Sequence, residues 1–320
     1  MQRRHLLAAA IALSAACPPG LAQDTWPERP VRFVVNFPAG GPLDVLTRAV
    51  ADVLQRELKQ PFVVENRAGA AGNIGADAVL KAPADGHSVL FTIDSTSTVN
   101  PHIYKSMPFK PADLQPLVII SSSGLLVGVH PSSGYKTLAD LIAGGKARDL
   151  TFSSAGNGSP GHLAAELATQ ATGMKITHVP YKGNAPAVLA VLAGEVTGGV
   201  LATPGMLPHV KAAKVTALAV TSSKRSTLAP EVPTVREAGV PQLEQEVLYL
   251  AMVPAATPAP LQQAIQKAIL DVTARPEIRS RLGTLDMHHE GTTGEAASQR
   301  LATLADRYGK VIRATGMKVE

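Results

Sequence analysis

A chain of 320 residues with 45% hydrophobic residues is long enough for two domains with a core each, which excludes a disordered polymer. Its 30 basic and 25 acidic residues leave a formal charge of +5, too small and too dispersed to argue for a nucleic-acid partner. With Cys17 as the single cysteine, neither an internal disulfide nor a multi-cysteine metal site is open to it.

The N-terminus places Arg3 and Arg4 ahead of an apolar run over 6–16, followed by a turn and small residues. This reads as a secretory signal peptide over 1–22, cut after Ala22, and therefore as a periplasmic protein. Lipoprotein processing at Cys17 is the alternative, although Ser14-Ala15-Ala16 lacks the apolar residue usual three places upstream; the paired arginines hint at Tat export. Cleavage after Ala22 leaves no thiol and 28 basic residues against 25 acidic, a formal charge of +3. No later apolar run reaches the roughly 18 residues of a membrane span, so a soluble mature chain is expected.

From residue 31 the pattern is strand, turn, helix, repeated. VRFVVNF (31–37) suits a strand buried on both faces of a parallel sheet. A helix then starts at Gly40-Gly41-Pro42, apolar at Leu43, Leu46, Val50, Val53 and Leu54 and charged at Arg48, Asp52 and Arg56. A strand over 62–65, a helix over 74–81 and a strand over 87–93 complete a βαβαβ unit. A second series begins near Ser121. It has strands over 125–130, 150–153, 176–179, 196–202 and 215–221, and helices over 138–143, 162–172 and 187–193. A strand over 248–253 and helices over 258–274, 277–282 and 295–314 follow. The expectation is an α/β chain of two lobes, each a mainly parallel sheet flanked by helices. Lobe 1 is discontinuous (23–121 plus 222–320), lobe 2 spans 122–221, and the ligand cleft lies between them.

In open α/β sheets ligands sit beyond the carboxyl ends of strands, where the turn Phe37-Pro38-Ala39-Gly40-Gly41 lies. Gly40 and Gly41 allow close backbone approach, Pro42 fits the first helical position, and the free N–H groups of the helix end make an anion seat. The second series repeats the device: LTFSSA (150–155) runs into Gly156-Asn157-Gly158-Ser159-Pro160-Gly161 and a helix. A helix end contributes only about 0.3 to 1 kcal/mol for an anion, up to about 2 where partly buried, so specificity needs added hydrogen bonds. Tight turns without a ligand are the bland alternative for either one.

Gly156, Gly158 and Gly161 also satisfy G-x-G-x-x-G, but a dinucleotide site wants an acid near the end of the next strand. That strand ends Thr177-His178-Val179-Pro180-Tyr181 without one. The chain contains no G-x-S-x-G, no P-loop and no H-E-x-x-H. Met287-His288-His289-Glu290 lacks metal-ligand spacing and reads as an exposed turn.

Taken together, these turns resemble those of the Bug family, the periplasmic receptors of tripartite tricarboxylate transporters. The matching pieces are WPERPVRFVVNFPAGGPLDVLTR (26–48), VVENRAGAAGNIGADAVLKAPADGHSVL (63–90), NPHIYKSMPF (100–109), SSAGNGSPGHLAAEL (153–167), HVPYKGNAPAV (178–188), LPHVKAAKVTALAVTSSKRS (207–226) and PEVPTVREAGVP (230–241). The resemblance implies a Venus-flytrap fold that captures a small carboxylate and delivers it to cognate inner-membrane subunits, as a monomer without cofactor, metal, nucleic acid or catalysis. It implies ligand contacts from Phe37, Pro38, Ala39, Gly40 and Gly41, from Ser95 and Thr96 in the stretch DSTST, and from the second lobe. There the residues are Ser154, Ala155, Gly156, Asn157, Gly158, Ser159, His162, Tyr181, Lys182, Ala202 and Thr203.

Family members often carry an acid and an Asp-Asn pair where this chain reads GEVTGGVLATP (194–204). Thr197, Leu201 and Ala202 stand there, which disfavours an amine-bearing ligand and favours a plain di- or tricarboxylate or an aromatic acid beside an apolar wall at 200–203. Tyr181 stacks on a ligand or simply ends a strand. Lys182 pairs with a carboxylate or is a solvated charge, and His162 donates to a ligand or braces its turn. Asp94, an acid near an anion site, is expected to turn away or pair with a base rather than touch a ligand carboxylate. A secreted hydrolase, a ligand sensor and a transcription regulator's effector domain remain as alternatives; the signal peptide and the lack of a DNA-binding helix pair argue against the last.

Overall fold

The computed structural model describes residues 26–318; the expected signal peptide lies outside the described residues. The first series consists of β1 (Val31–Val35), α1 (Pro42–Leu58), β2 (Phe62–Asn66), α2 (Asn73–Leu80), β3 (Ser88–Ile93), the single turns α3 (Ser95–Thr98) and α4 (Asn100–Ile103), and β4 (Leu114–Ser123). The second runs β5 (Leu125–Val129), α5 (Leu138–Ala147), β6 (Leu150–Ser154), α6 (Pro160–Thr172), β7 (Ile176–Pro180), α7 (Asn184–Leu192), β8 (Gly198–Ala202), α8 (Thr203–Lys211) and β9 (Thr216–Val220). The chain ends with β10 (Val247–Pro254), α9 (Ala259–Thr273), α10 (Pro276–Thr284), β11 (His288–Thr293) and α11 (Gly294–Thr315).

These strands form two sheets, β11-β4-β10-β3-β1-β2 and β7-β6-β8-β5-β9, so the molecule is a two-lobed α/β fold. The sheets are mixed, where mainly parallel ones were expected. β1 runs parallel to β2 and β3, and β6 to β7 and β8. β10 is antiparallel to β3 and β4, β11 to β4, and β5 to β8 and β9. Helical crossovers return a chain to the same sheet edge and impose parallel strands. β5 and β10 instead arrive from the other lobe at the opposite edge, and so run the other way.

Periodicity located α1 well. Leu43, Leu46, Val50, Val53 and Leu54 are buried while Arg48, Asp52 and Arg56 are exposed. Each such burial contributes about 1.5 to 3 kcal/mol. Beneath α1, Phe33 packs on Phe91 (ring centroids 4.6 Å apart) and edge-on to Phe62 at 5.2 Å. Five elements were not foreseen: β4 with its Pro116 and serine tail, β11, the single turns α3 and α4, and α8 with Pro208 inside it. The stretch His288-His289-Glu290, expected as an exposed turn, is an edge strand paired to β4.

After β9 the chain lays residues 229–245 against the second sheet. Val220 N–H donates to Pro233 and Val235 N–H to Val220, and Val235 and Leu243 line a core void with Val127 and Phe152. Apolar Val232, Val235 and Leu243 have more surface to bury there than a connector would give them.

As a result, three stretches run side by side between the sheets: 122–125, 221–223 and 245–247. Thr221, 2% exposed, joins them. Its N–H donates to Leu125 O and its carbonyl accepts from Gln245 N–H. Its hydroxyl accepts from Leu125 N–H (2.9 Å) and donates to Gln245 O (2.7 Å).

Candidate functional site

At the carboxyl end of β1, Pro38, Ala39 and Gly40 are exposed and Phe37 and Gly41 half-buried. Gly40 has φ +79°, which a Cβ disfavours, although nothing lies within 4 Å of where one would stand. The α1 N-cap, Gly41, offers no side chain to the helix, and Pro42 has no N–H. Among the described residues the N–H groups of Gly41, Leu43 and Asp44 have no partner. Gly40 N–H is taken: it donates to Asp44 Oδ2 at 2.9 Å. Asn66 Nδ2 donates to Asp44 Oδ1 (2.9 Å) and to Phe37 O (3.2 Å), which fixes the turn. Burial would raise the Asp44 carboxyl, but hydrogen bonds from Arg48, Gly40 and Asn66 outweigh it and hold the group below the usual range.

The α6 turn is built differently. Ser159 Oγ caps the helix by accepting from His162 N–H (3.4 Å), and Gly158 N–H donates to His162 Nδ1 (3.2 Å). Ser154 Oγ donates to Gly156 O (3.1 Å), accepts from Gly156 N–H (3.2 Å) and lies 2.6 Å from His178 Nε2. His178 stacks on His162 with ring centroids 3.7 Å apart. Burial first, and the neighbouring His162 second, push His178 down to about 4. Gly158, at φ +76°, leaves no room for a side chain: a Cβ would stand 2.7 Å from Ile103 Cδ1 and 3.2 Å from Ala71 Cβ, both of the first lobe. Gln245 Nε2 donates to Pro160 O at 3.0 Å. The donors at Gly156, Gly158 and His162 are thus spent inside the protein, while Ala155 stays half-buried and Asn157 exposed.

Nearer the crossovers, the buried hydroxyls of Ser95, Ser97 and Thr203 have no partner among the described residues. Ser95, which opens α3 beyond β3, is 2% exposed, and Thr203, the first residue of α8 beyond β8, is fully buried. The α8 N-cap, Ala202, has no side-chain cap, and its own N–H donates to Asn184 Oδ1 at 3.0 Å. Ala202 pairs with Leu125, the first residue of β5, and Ile93 with Tyr249 near the start of β10. The Ser95 and Thr203 hydroxyls therefore each stand one strand from a crossover, on opposite lobes. The open end of α8 escaped sequence reasoning; a proline two residues past a strand end, at Pro204, was the available signal.

Four further residues take definite places in the structure. Thr96 is fully buried and bonded to Asn36 Nδ2 (3.1 Å) and Thr92 Oγ1 (2.9 Å), a bracing network and not an open hydroxyl. The Tyr181 hydroxyl donates to Glu195 at 3.3 Å, and Lys182 is exposed with no ion-pair partner among the described residues. Asp94 is turned inward without any base: Oδ1 accepts from Leu248 N–H (3.0 Å) and Oδ2 from Thr98 Oγ1 (3.3 Å). Burial raises it to about 6 against those bonds. Among the described residues no group of three or more metal-type ligands is present, and no helix is long and apolar enough to cross a membrane.

Residues 46–317 match the family model described as tripartite tricarboxylate transporter family receptor. The chain is 35% identical over 313 residues to BugT of Bordetella pertussis, covering 94% of this chain and 93% of that protein. Rpa4515 of R. palustris, solved with adipate, superposes with a TM-score of 0.85 at 31% identity over 92% of this chain and 99% of that one. MatC of Rhodopseudomonas palustris, solved with bound malate, gives 0.79 at 25% identity over 90% and 100%.

Proposed function

The chain belongs to the tripartite tricarboxylate transporter receptor family of periplasmic solute-binding proteins, and from that premise we propose that it captures a small dicarboxylate between its lobes for delivery to membrane transporter subunits. The observation that carries this reading is the pair of unpartnered buried hydroxyls, Ser95 beyond β3 and Thr203 at the uncapped start of α8, together with the uncapped end of α1. A buried hydroxyl without a partner costs about 1 to 3 kcal/mol, a cost that a ligand carboxylate would remove. Two open helix ends suit two carboxylates, and the relatives solved with adipate and malate hold dicarboxylates. An amine finds no counter-ion in Asp94, whose oxygens are engaged.

On this reading the anion seats are the ends of α1 and α8. The α6 turn braces the second lobe from behind, and Ala202 forms part of the wall. Lobe 1 would run from 23 to about 122 and resume at 246, lobe 2 filling the interval, and the protein would act as a monomer.

A hydrolase deserves one comparison, because Ser154 and His178 are hydrogen-bonded at 2.6 Å. Ser154 is fully buried and donates to Gly156 O, so its hydroxyl is placed to brace a turn. Incubation with simple esters separates the two readings: turnover abolished by Ser154→Ala would favour the enzyme.

The direct test is a thermal-shift screen of the chain processed after Ala22 against mono-, di- and tricarboxylates, aromatic acids, amino acids and uncharged controls. A ligand at about 100 times its Kd adds roughly 2.7 kcal/mol. Stabilisation by dicarboxylates is expected. A shift from an amine or a neutral solute, with none from any acid, would overturn the reading.

A further inference from the structure

Arg300, on the first turns of α11, lies at the back of the three inter-lobe stretches. Nη1 donates to Glu290 Oε2 at 2.9 Å and Nη2 to Glu246 Oε2 at 3.2 Å. Each carboxylate uses its other oxygen on a serine: Glu290 Oε1 accepts from Ser122 Oγ (2.7 Å) and Glu246 Oε1 from Ser223 Oγ (3.2 Å). Ser122 belongs to the first stretch, Ser223 to the second and Glu246 to the third. One guanidinium, 31% exposed, therefore gathers all three. Both carboxylates are 23% exposed. Burial favours protonation of Glu290, yet the Arg300 and Ser122 hydrogen bonds and the Arg300 charge hold it below the usual range, so it stays an anion for the arginine.

We propose that Arg300 is a closure latch: by holding Ser122, Ser223 and Glu246 in one mutual arrangement it biases the lobes toward contact before any ligand arrives. The lobes touch in the arrangement that carries the latch. Gly158 sits against Ile103 and Ala71. Opening the cleft must turn one lobe about the three stretches and shift them past one another. The backbone joints at Thr221 can accommodate rotation about a bond, but a planar fork bonded to two carboxylates fixes distances and directions together. Breaking the fork frees the stretches without touching Ser95 or Thr203. The latch thus acts on the closed population, and apparent affinity scales with that population.

The experiment reads lobe separation without ligand, so it is independent of which solute binds. Spin labels at Lys59→Cys and Lys175→Cys, one exposed position per lobe, are placed in the chain processed after Ala22, which has no other cysteine. Arg300→Met is expected to lower the short-distance fraction at least threefold, and Arg300→Lys, with one point donor in place of a fork, by less. The double variant Ser122→Ala, Ser223→Ala keeps the ion pairs but releases the first and second stretches from them, and is expected to lower the short-distance fraction in the same direction as Arg300→Met; it serves if the methionine variant does not fold. A distance distribution unchanged from the parent in the double variant, or in a folded Arg300→Met, would overturn the latch.

Discussion

His162 and His178 lie face to face, 3.7 Å between ring centroids and 7° between planes, with Ser154 Oγ on one side and the Glu166 carboxylate 3.6 Å from His162 Nε2 on the other. Burial first, and the neighbouring His162 second, keep His178 neutral down to about 4. Unfolded, it titrates near its ordinary value of about 6.5. The native state is thus favoured above that value and loses stability as pH falls from 6.5 toward 4, since only the unfolded chain takes the proton there. His178→Gln is expected to flatten the melting temperature in this window relative to the parent, by the few degrees that correspond to about 1 kcal/mol, because the site is only partly desolvated. An unaltered pH profile would show that His178 takes up its proton alike in the folded and the unfolded chain.

Asp94 works in the opposite direction over the same range. Its folded pKa is raised from 3.8 to about 6, so above that value the fold carries a buried charge that the unfolded chain would hydrate freely. Its contribution is present below 3.8 and lost as pH rises through 6. Asp94→Asn keeps an acceptor for Leu248 N–H, and its stability relative to the parent is expected to be higher at pH 8 than at pH 5. Asp94→Ala orphans that N–H and is expected to cost about 1 to 3 kcal/mol at both. Urea midpoints at the two pH values decide.

The two glycine turns separate in the same way. Gly40→Ala meets no atom and is expected to cost only the left-handed backbone term, about 1 kcal/mol. Gly158→Val adds a clash with Ile103 and Ala71 across the lobes. Small-angle scattering is expected to show a larger radius for Gly158→Val and none for Gly40→Ala; equal radii would mean that the lobes do not meet at Gly158.

Thr203→Val replaces a buried unpartnered hydroxyl by a methyl of the same shape. The ligand-free protein is expected to gain up to about 1 kcal/mol, while stabilisation by whichever dicarboxylate emerges from the screen falls by a comparable amount. Ser95→Ala is expected to do the same from the other lobe. A variant that loses stability without ligand would place a hidden partner on that hydroxyl.

The strand-helix alternation, the buried face of α1 and the exposed turn at Phe37 to Gly41 were legible in the sequence because each is set by neighbours a few residues away. The spacing of Leu43, Leu46 and Val50 reports which face of a helix is dry, and Gly-Gly-Pro reports how a helix begins. Family resemblance extended this to the two-lobed plan. The surroundings of the second turn come from residues far along the chain: Ala71 and Ile103 close over Gly158, and Gln245 takes Pro160 O. G-N-G-S-P looks the same whether its donors face a ligand or its own Ser159 and His162. β11 owes its strand to pairing with β4, and 229–245 owe their place to the apolar void they fill, neither of which leaves a period in the sequence. Local pattern determines which elements form. Which of their ends stays open to a ligand depends on long-range packing and hydrogen bonding, and only the tertiary structure decides that.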